Sequence, residues 1–289
     1  MGSVRPVHGR GSSGLYSARS TAKALSTVDR RTRHRLKSLA PAQGGPPITT
    51  PAVTLSLVIP SYNQRARTRN AAAEALAYLG QLPGERAELI VVDDGSDPGK
   101  GVQASDLPPE VALIVLPNNL GKGGALRAGV ERAQGDYVIF TDSDLPFSLD
   151  AIPVTLAWLR GGADLVIGDR SLPESEFEIH VRPLRRLSTL VFNFMVKRLC
   201  GLHLDDTQCG YKGYRGTVAK ALYSRLETNS FAFDVELLLR ARKGGYRLRH
   251  QPLRMVPNED SSVRLSRHAP RMFLDTLRIA VRRARGHYG

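Results

Sequence analysis

The chain has 289 residues, a formal net charge of +14 and a hydrophobic content of 42%. This composition excludes a wholly disordered chain, and its two cysteines exclude a disulfide scaffold. The charge is uneven, because residues 1–50 carry nine Lys or Arg against one acid and residues 264–289 carry seven against one. We therefore predict a formally neutral folded domain over 51–263, between a basic mobile N-terminal arm at 1–50 and a basic amphipathic C-terminal helix at 264–289.

Strands and helices alternate along the central part of the chain. Short apolar runs bounded by turn residues predict strands, and longer Ala-rich or amphipathic stretches predict helices. The predicted strands cover residues 55–59, 89–92, 111–116, 137–141 and 164–167. The predicted helices cover residues 68–79, 124–133 and 152–159. This order predicts an α/β fold with a Rossmann-like, mainly parallel central sheet flanked by helices.

Polar loops follow four of the predicted strands. The carboxyl ends of parallel strands meet at one edge of a sheet, and ligands bind there. The loops contain Pro60-Ser61-Tyr62-Asn63, Asp93-Asp94-Gly95-Ser96, Asn118-Asn119-Leu120-Gly121-Lys122 and Asp142-Ser143-Asp144. We therefore expect these polar groups to converge on a single site.

The Asp142-Ser143-Asp144 triplet is a candidate metal site. Two carboxylates at the end of an apolar strand are costly to bury without a cation, and Mg²⁺ and Mn²⁺ prefer carboxylate oxygens. Taken alone, the triplet is more typical of a turn or a helix cap than of a metal site.

The loop that contains Asp93 and Asp94 and the loop that contains Gly121 and Lys122 each allow two interpretations. Asp93 and Asp94 either form a turn or accept hydrogen bonds from a nucleotide. Gly121 and Lys122 precede a predicted helix, whose N-terminus favours phosphate, but a flexible turn is the alternative. Their spacing fits neither the P-loop nor the dinucleotide-binding motif.

In this order and spacing, the four loops resemble those of glycosyltransferase family 2. Two downstream runs, residues 206–212 and 231–236, are similar to the dolichyl- or polyprenyl-phosphate sugar transferases, most of all the dolichyl-phosphate glucosyltransferase branch. The resemblance covers about residues 54–257 and implies the glycosyltransferase A fold.

The resemblance implies a donor site for a nucleotide sugar. Tyr62 and Asp94 would contact the base, Asp142 the ribose or the metal, and Asp144 the Mg²⁺ or Mn²⁺ that bridges the diphosphate. The complete set of predicted nucleotide-sugar ligands is Pro60, Tyr62, Asn63, Asp93, Asp94, Gly121, Lys122 and Asp142.

The acceptor side is predicted from a second group of residues. Arg182 and Arg186 would share one helical face and match a paired-basic segment where an acceptor phosphate could sit, although an exposed basic turn is the alternative. Asp206 would be a general base for a hydroxyl acceptor and an orienting group for a phosphate. Arg170, Gln208 and Lys212 complete the predicted acceptor side, and Asp234 and Glu236 are assigned supporting roles.

Three features depart from the family pattern. Gln64 stands where Glu is usual, Asp169 stands where Ser is usual, and the C-terminal membrane span of many relatives is missing. Instead, residues 270–285 predict a basic amphipathic helix that either lies on an anionic membrane or docks on its own domain.

These observations predict an inverting, metal-dependent hexosyltransferase that moves glucose from UDP-glucose to a polyprenyl or dolichyl phosphate. We expect a cytoplasmic protein with peripheral contact to an anionic membrane. One alternative keeps the donor and uses a soluble hydroxyl acceptor. A second, motivated by the basic arms, is a nucleic-acid-binding protein on a retired enzyme scaffold; few aromatic residues accompany these charges, so no nucleic acid is expected.

Overall fold

The computed structural model describes residues 53–176, 190–256 and 265–288, with side chains from residue 271 onward in the last range. The predicted N-terminal arm, and the predicted acceptor residues Arg182 and Arg186, lie outside these residues.

A seven-stranded sheet forms the centre of the described part of the chain. Its order is β3-β2-β1-β4-β6-β5-β7. Strands β3, β2, β1 and β4 are parallel to one another, whereas β6 is antiparallel to both β4 and β5, and β7 is parallel to β5. The strands are β1 (Leu55–Ser61), β2 (Ala87–Asp93), β3 (Val111–Val115), β4 (Tyr137–Thr141), β5 (Leu165–Gly168), β6 (Tyr211–Arg215) and β7 (Leu248–Gln251).

Helices cover both faces of this sheet. They are α1 (Arg65–Leu79), α2 (Lys122–Arg132), α3 (Ala151–Arg160), α4 (Gly216–Tyr223), α5 (Phe233–Lys243) and α6 (Leu265–Ala284). A further helical stretch at 190–195 continues into a π-helical turn at Val196–Cys200. In the part of the chain that the structure describes, no helix is long and apolar enough to cross a membrane.

Alternation along β1 explains the two layers of the core. Leu57 and Ile59 pack in the cluster that contains Ala72 and Ala75 of α1, whereas Val58 belongs to the cluster on the other face. That second cluster includes side chains of α2, α4, α5 and α6. A strand buried on both faces is expected to carry a continuous apolar run, as β1 does at residues 57–60.

The predicted fold class is confirmed, and all five predicted strands are present with ends shifted by two residues or fewer. Strands β6 and β7 were not predicted. Their sequences, YKGYR and LRHQ, contain charged residues and no apolar run. The mixed sheet nevertheless keeps its parallel half at β1, β2 and β4, and this half positions the site.

Candidate active site

A pocket of about 310 Å³ opens at the carboxyl ends of β1, β2 and β4. All four predicted loops meet here with the segment before α5 and the N-terminal half of α6. The lining residues are Pro60, Ser61, Tyr62, Gln64, Asp94, Asn119, Gly121, Lys122, Ala125, Asp142, Ser143, Asp144, Ser230, Phe231, Arg271 and Met272. The structure therefore brings together most of the predicted donor-site residues.

Asp142 lies between Lys122 and Gly210. Its Oδ1 is 2.5 Å from Lys122 Nζ, and a Cβ added to Gly210 would meet the same carboxylate's Oδ2. Gly210 therefore has to be glycine for Asp142 to occupy this position. Burial disfavours the charged form of Lys122, but the carboxylates of Asp142 and Asp234 outweigh this effect and raise its pKa.

Asp144 shares the pocket with Asp142. Burial and the charge of Asp142 raise the pKa of Asp144. Ser143, between them, donates a hydrogen bond of 3.1 Å to Gln64 Oε1, so the unusual Gln64 supports the triplet.

Two carboxylates in one pocket fit a divalent cation that takes its remaining ligands from water and substrate phosphate. Among the described residues, no group of three or more His, Cys, Asp or Glu side chains is arranged to hold a metal by protein ligands alone.

Asp94 joins two loops at the base of the pocket. Its carboxylate accepts hydrogen bonds from the backbone N–H groups of Leu120 and Gly121, at 2.9 and 2.8 Å. Burial raises the pKa of Asp94, and these two hydrogen bonds partly offset the increase. Gly121 has φ of 95°, and a Cβ there would lie 2.5 Å from the backbone oxygen of Asn229. Asp94 and Gly121 thus shape the pocket wall.

Two predicted donor-site residues lie beside the pocket but are absent from its lining. Both carboxylate oxygens of Asp93 accept hydrogen bonds of 2.8 Å from Ser96, so Asp93 stabilises the turn after β2. Asn63 exchanges hydrogen bonds with Asp97 through its side-chain amide. Tyr62, in contrast, lines the pocket and is 41% exposed.

On the predicted acceptor side, Asp206 forms a bidentate ion pair with Arg170. Arg170 Nε and Nη2 donate to its two carboxylate oxygens at 2.6 and 2.8 Å, and the Arg170 backbone N–H donates at 3.0 Å. Burial acts to raise the pKa of Asp206, but the hydrogen bonds and charge of Arg170 outweigh it and lower the pKa overall. Such a carboxylate is a weak base and a strong anchor for Arg170.

Lys212 does not lie on an accessible acceptor surface. Its side chain is 1% exposed, and Nζ lies 2.7 Å from Asp234 Oδ1 and donates to the backbone oxygen of Cys209 at 2.8 Å. The prediction for Lys212 is corrected here, because β6 turns the side chain into the core towards α5. The predicted supporting position of Asp234 agrees with this pair.

The remaining predicted groups have local partners. Gln208 donates to the backbone oxygen of Phe231 at 3.2 Å, which ties the acceptor-side run to the pocket wall. Asp169, the departure from the family pattern, pairs with His250 Nδ1 at 2.7 Å and accepts from Ser171. Glu236 accepts from the backbone N–H groups before α5 and pairs with Arg240.

Sequence reasoning assigned no role at this site to Ser230, Phe231, Arg271 or Met272, which line the pocket. Phe231 occurs in one of the runs that carry the family resemblance, so a signal for it existed. Arg271 and Met272 were assigned to an amphipathic helix, and no feature of that pattern indicates that the helix begins beside the pocket.

Comparison with known proteins identifies the class of protein that this fold and pocket define. Residues 56–222, over half of the chain, match the family model described as glycosyl transferase family 2. The chain therefore belongs to glycosyltransferase family 2, which confirms the resemblance.

Its relatives include glycosyltransferase AglD of Haloferax volcanii, with 30% identity over 225 residues, 76% of this chain and 36% of that protein. The dolichyl-phosphate beta-glucosyltransferase of Homo sapiens is 33% identical over 207 residues, 65% of this chain and 63% of that protein. The chain thus spans about a third of the first relative and less than two thirds of the second.

Solved structures share the fold. Glucosyl-3-phosphoglycerate synthase from Mycobacterium tuberculosis, in complex with Mn²⁺, UDP and phosphoglyceric acid, superposes with a TM-score of 0.56 at 20% identity. The match covers 79% of this chain and 78% of that one. The glycosyltransferase A fold is thereby confirmed.

Proposed function

We propose that this chain transfers glucose from UDP-glucose to a polyprenyl phosphate such as dolichyl phosphate, with inversion at the anomeric carbon. The observation that carries the proposal is the pocket that gathers Tyr62, Lys122, Asp142 and Asp144 at one sheet edge. Relatives named dolichyl-phosphate beta-glucosyltransferase, at 32 to 33% identity, support the acceptor and the sugar. A structural neighbour in complex with Mn²⁺ and UDP supports the donor.

The donor half of the pocket would bind UDP-glucose through complementary groups. Tyr62 offers an exposed ring for the base, and Lys122 offers a cation at the N-terminus of α2, where a phosphate is favoured. Asp142 and Asp144 would hold Mg²⁺ or Mn²⁺, which supplies positive charge against the charge that develops on the departing diphosphate.

The acceptor chemistry follows from the state of Asp206. A hydroxyl acceptor needs a base, but Asp206 is engaged by Arg170 and its pKa is lowered. A phosphate acceptor is already anionic, so its oxygen can attack the anomeric carbon without losing a proton. The new carbon–oxygen bond forms on the face opposite UDP, and the electron pair of the broken bond leaves with the diphosphate. The pairing of Asp206 with Arg170 therefore favours a phosphate acceptor over a hydroxyl acceptor.

We further propose peripheral contact with the cytoplasmic face of a membrane. Six large apolar side chains on α6 and the 190–195 helix are between 48% and 70% exposed, and exposed arginines accompany them on α6. They are Leu190, Val191, Phe194, Phe273, Leu274 and Val281. Met272 and Ile279 of α6 are buried, so this helix both docks on its domain and presents apolar groups outward. Such a surface suits an anionic bilayer.

A radiolabelled transfer assay with UDP-glucose, Mn²⁺ and a prenyl phosphate tests the proposal. We expect labelled lipid from the wild type, loss of product on chelation of the metal, and at least about a hundredfold loss in Asp144→Ala, since metal-assisted steps contribute several kcal/mol. Asp205→Ala, which removes a carboxylate that is 69% exposed, is the matched control and should retain activity. Absence of labelled lipid with any common nucleotide sugar would reject the proposal, and glucose transfer only to a soluble hydroxyl compound would replace the acceptor.

A further inference from the structure

The C-terminal helix α6 supplies a cation to the mouth of the pocket. Arg271 and Met272 both line the pocket, although they lie more than a hundred residues beyond Asp144 in the chain. Met272 is 9% exposed, and Thr276 and Ile279 on the same helical face are fully buried. This packed face holds α6 in place, so Arg271 is presented at a defined position.

The charges of the pocket give Arg271 a specific importance. The described lining of the pocket contains the carboxylates of Asp94, Asp142 and Asp144, but only two cationic side chains, Lys122 and Arg271. Lys122 is 13% exposed and is paired with Asp142. A diphosphate or a phosphate that enters this lining faces three carboxylates, and Arg271 adds positive charge to that of Lys122 and of the metal ion proposed at Asp142 and Asp144.

Arg271 is able to bind a ligand because its own ion pair is long. Its Nε lies 3.9 Å from Asp275 Oδ2, whereas Arg278 contacts the other oxygen of Asp275 at 2.8 Å. The Arg271 side chain is 75% exposed. A guanidinium presents a planar set of hydrogen-bond donors that matches the oxygens of a phosphate. Because the guanidinium of Arg271 is not held by a close ion pair within the protein, its donors can bind a phosphate.

We propose that Arg271 binds a phosphoryl group at the pocket mouth, either in the donor's diphosphate or in the acceptor's phosphate. The assignment rests on the proposed function, because it requires phosphorylated substrates in this pocket. Arg271 takes no part in bond making; it binds substrate and neutralises its charge.

Three variants test the assignment: Arg271→Ala, Arg271→Lys and Arg285→Ala. Arg285 is an exposed arginine just beyond α6 and outside the pocket lining, so its loss changes the net charge equally. Calorimetry with UDP and Mn²⁺ measures the affinity for the donor's diphosphate, and the KM for a short prenyl phosphate reports on binding of the acceptor's phosphate.

We expect Arg271→Ala either to weaken UDP binding or to raise the KM for the prenyl phosphate, by about tenfold. Arg271→Lys should restore part of the loss, and Arg285→Ala should match the wild type. Weaker UDP binding would assign Arg271 to the donor diphosphate, and a raised acceptor KM with unchanged UDP binding would assign it to the acceptor phosphate. The assignment would be overturned if Arg271→Ala changed neither UDP affinity nor the acceptor KM, or if Arg271→Ala and Arg285→Ala caused equal losses. Either result would leave the proposed function intact. A wild type that binds no UDP would overturn the proposed function and this assignment with it.

Discussion

The pair between Arg170 and Asp206 links stability to pH at the level of a single residue. Because the folded-state pKa of Asp206 is lowered, its stabilising contribution is present above the unfolded-state pKa and is lost as the pH falls through the folded-state pKa. We expect Asp206→Asn to lower the free energy of unfolding by about 1–3 kcal/mol near neutral pH.

Urea unfolding of wild type and Asp206→Asn at about pH 7 and about pH 3 measures this effect. The difference between the two proteins should shrink in acid, because the contribution of the carboxylate decreases as the pH falls below its unfolded-state pKa towards its lowered folded-state pKa. A difference that stays constant with pH would show that the carboxylate's charge is not what stabilises the pair.

The buried pair between Lys212 and Asp234 gives a second prediction. Lys212→Met leaves a buried carboxylate without its cation and should cost about 3–5 kcal/mol of unfolding free energy. The double variant Lys212→Met with Asp234→Leu should recover most of this loss, because no uncompensated charge remains. Denaturant unfolding measures both.

Lys197→Met is the matched control, since it breaks a pair with Asp205 whose partners are 38% and 69% exposed. Its cost should be below about 1 kcal/mol. Equal losses in Lys197→Met and Lys212→Met would contradict the importance of burial.

The residues that directly follow each predicted strand were correctly expected at the edge of the sheet. The direction in which each of their side chains points was harder to predict. Tyr62, Asp94 and Asp142 line the pocket as expected. Asp93, one residue before Asp94, bonds Ser96 instead, because successive residues of a strand point to opposite faces. Lys212 was misplaced because its strand was not predicted, so its inward direction was unknown.

At the scale of elements, the approach of α2 to α5 depends on Gly123. A Cβ at this position would lie 2.7 Å from Phe233 Cβ and 2.8 Å from the backbone oxygen of Thr228. We expect Gly123→Ala to cost about 1–3 kcal/mol of unfolding free energy through overpacking, although alanine is the better helix former by about 1 kcal/mol.

Gly80→Ala provides the control for this substitution. Its φ is −64°, and the nearest contact of an added Cβ is 3.6 Å, so the change should be neutral or slightly stabilising. Thermal unfolding of both variants decides the matter. A neutral Gly123→Ala would mean that α2 can shift away from α5 without cost.

The parallel half of the sheet was predictable because β1, β2 and β4 each contain a run of three or more buried apolar residues. Strand β6 is equally central, yet it contains Lys212 and Arg215, whose charges are matched by Asp234 and Asp164. These partners lie far away in sequence. A local pattern therefore cannot reveal that β6 is a strand.

For the whole molecule, we expect binding to vesicles that contain phosphatidylglycerol. Phe194→Ser combined with Leu274→Ser should reduce partitioning by at least about tenfold, because each apolar side chain that enters the bilayer contributes about 1.5–3 kcal/mol. Added salt should weaken binding further by screening the arginines.

Val115→Ser is the control, since Val115 is 62% exposed on β3 but lies on neither of the two helices. Sedimentation with vesicles measures all three proteins. Equal binding of wild type and double variant would reject these helices as the contact surface.

The position of α6 also bears on how pockets in this family can diverge. The family match ends at residue 222, but the pocket wall continues through Ser230 and Phe231 to Arg271 and Met272. A protein shortened to the matched segment would keep the acidic triplet and lose one side of the cavity. Two relatives with identical loops can accordingly differ in what they accept, because Arg271 and Met272 of the pocket wall lie outside the residues that match the family model.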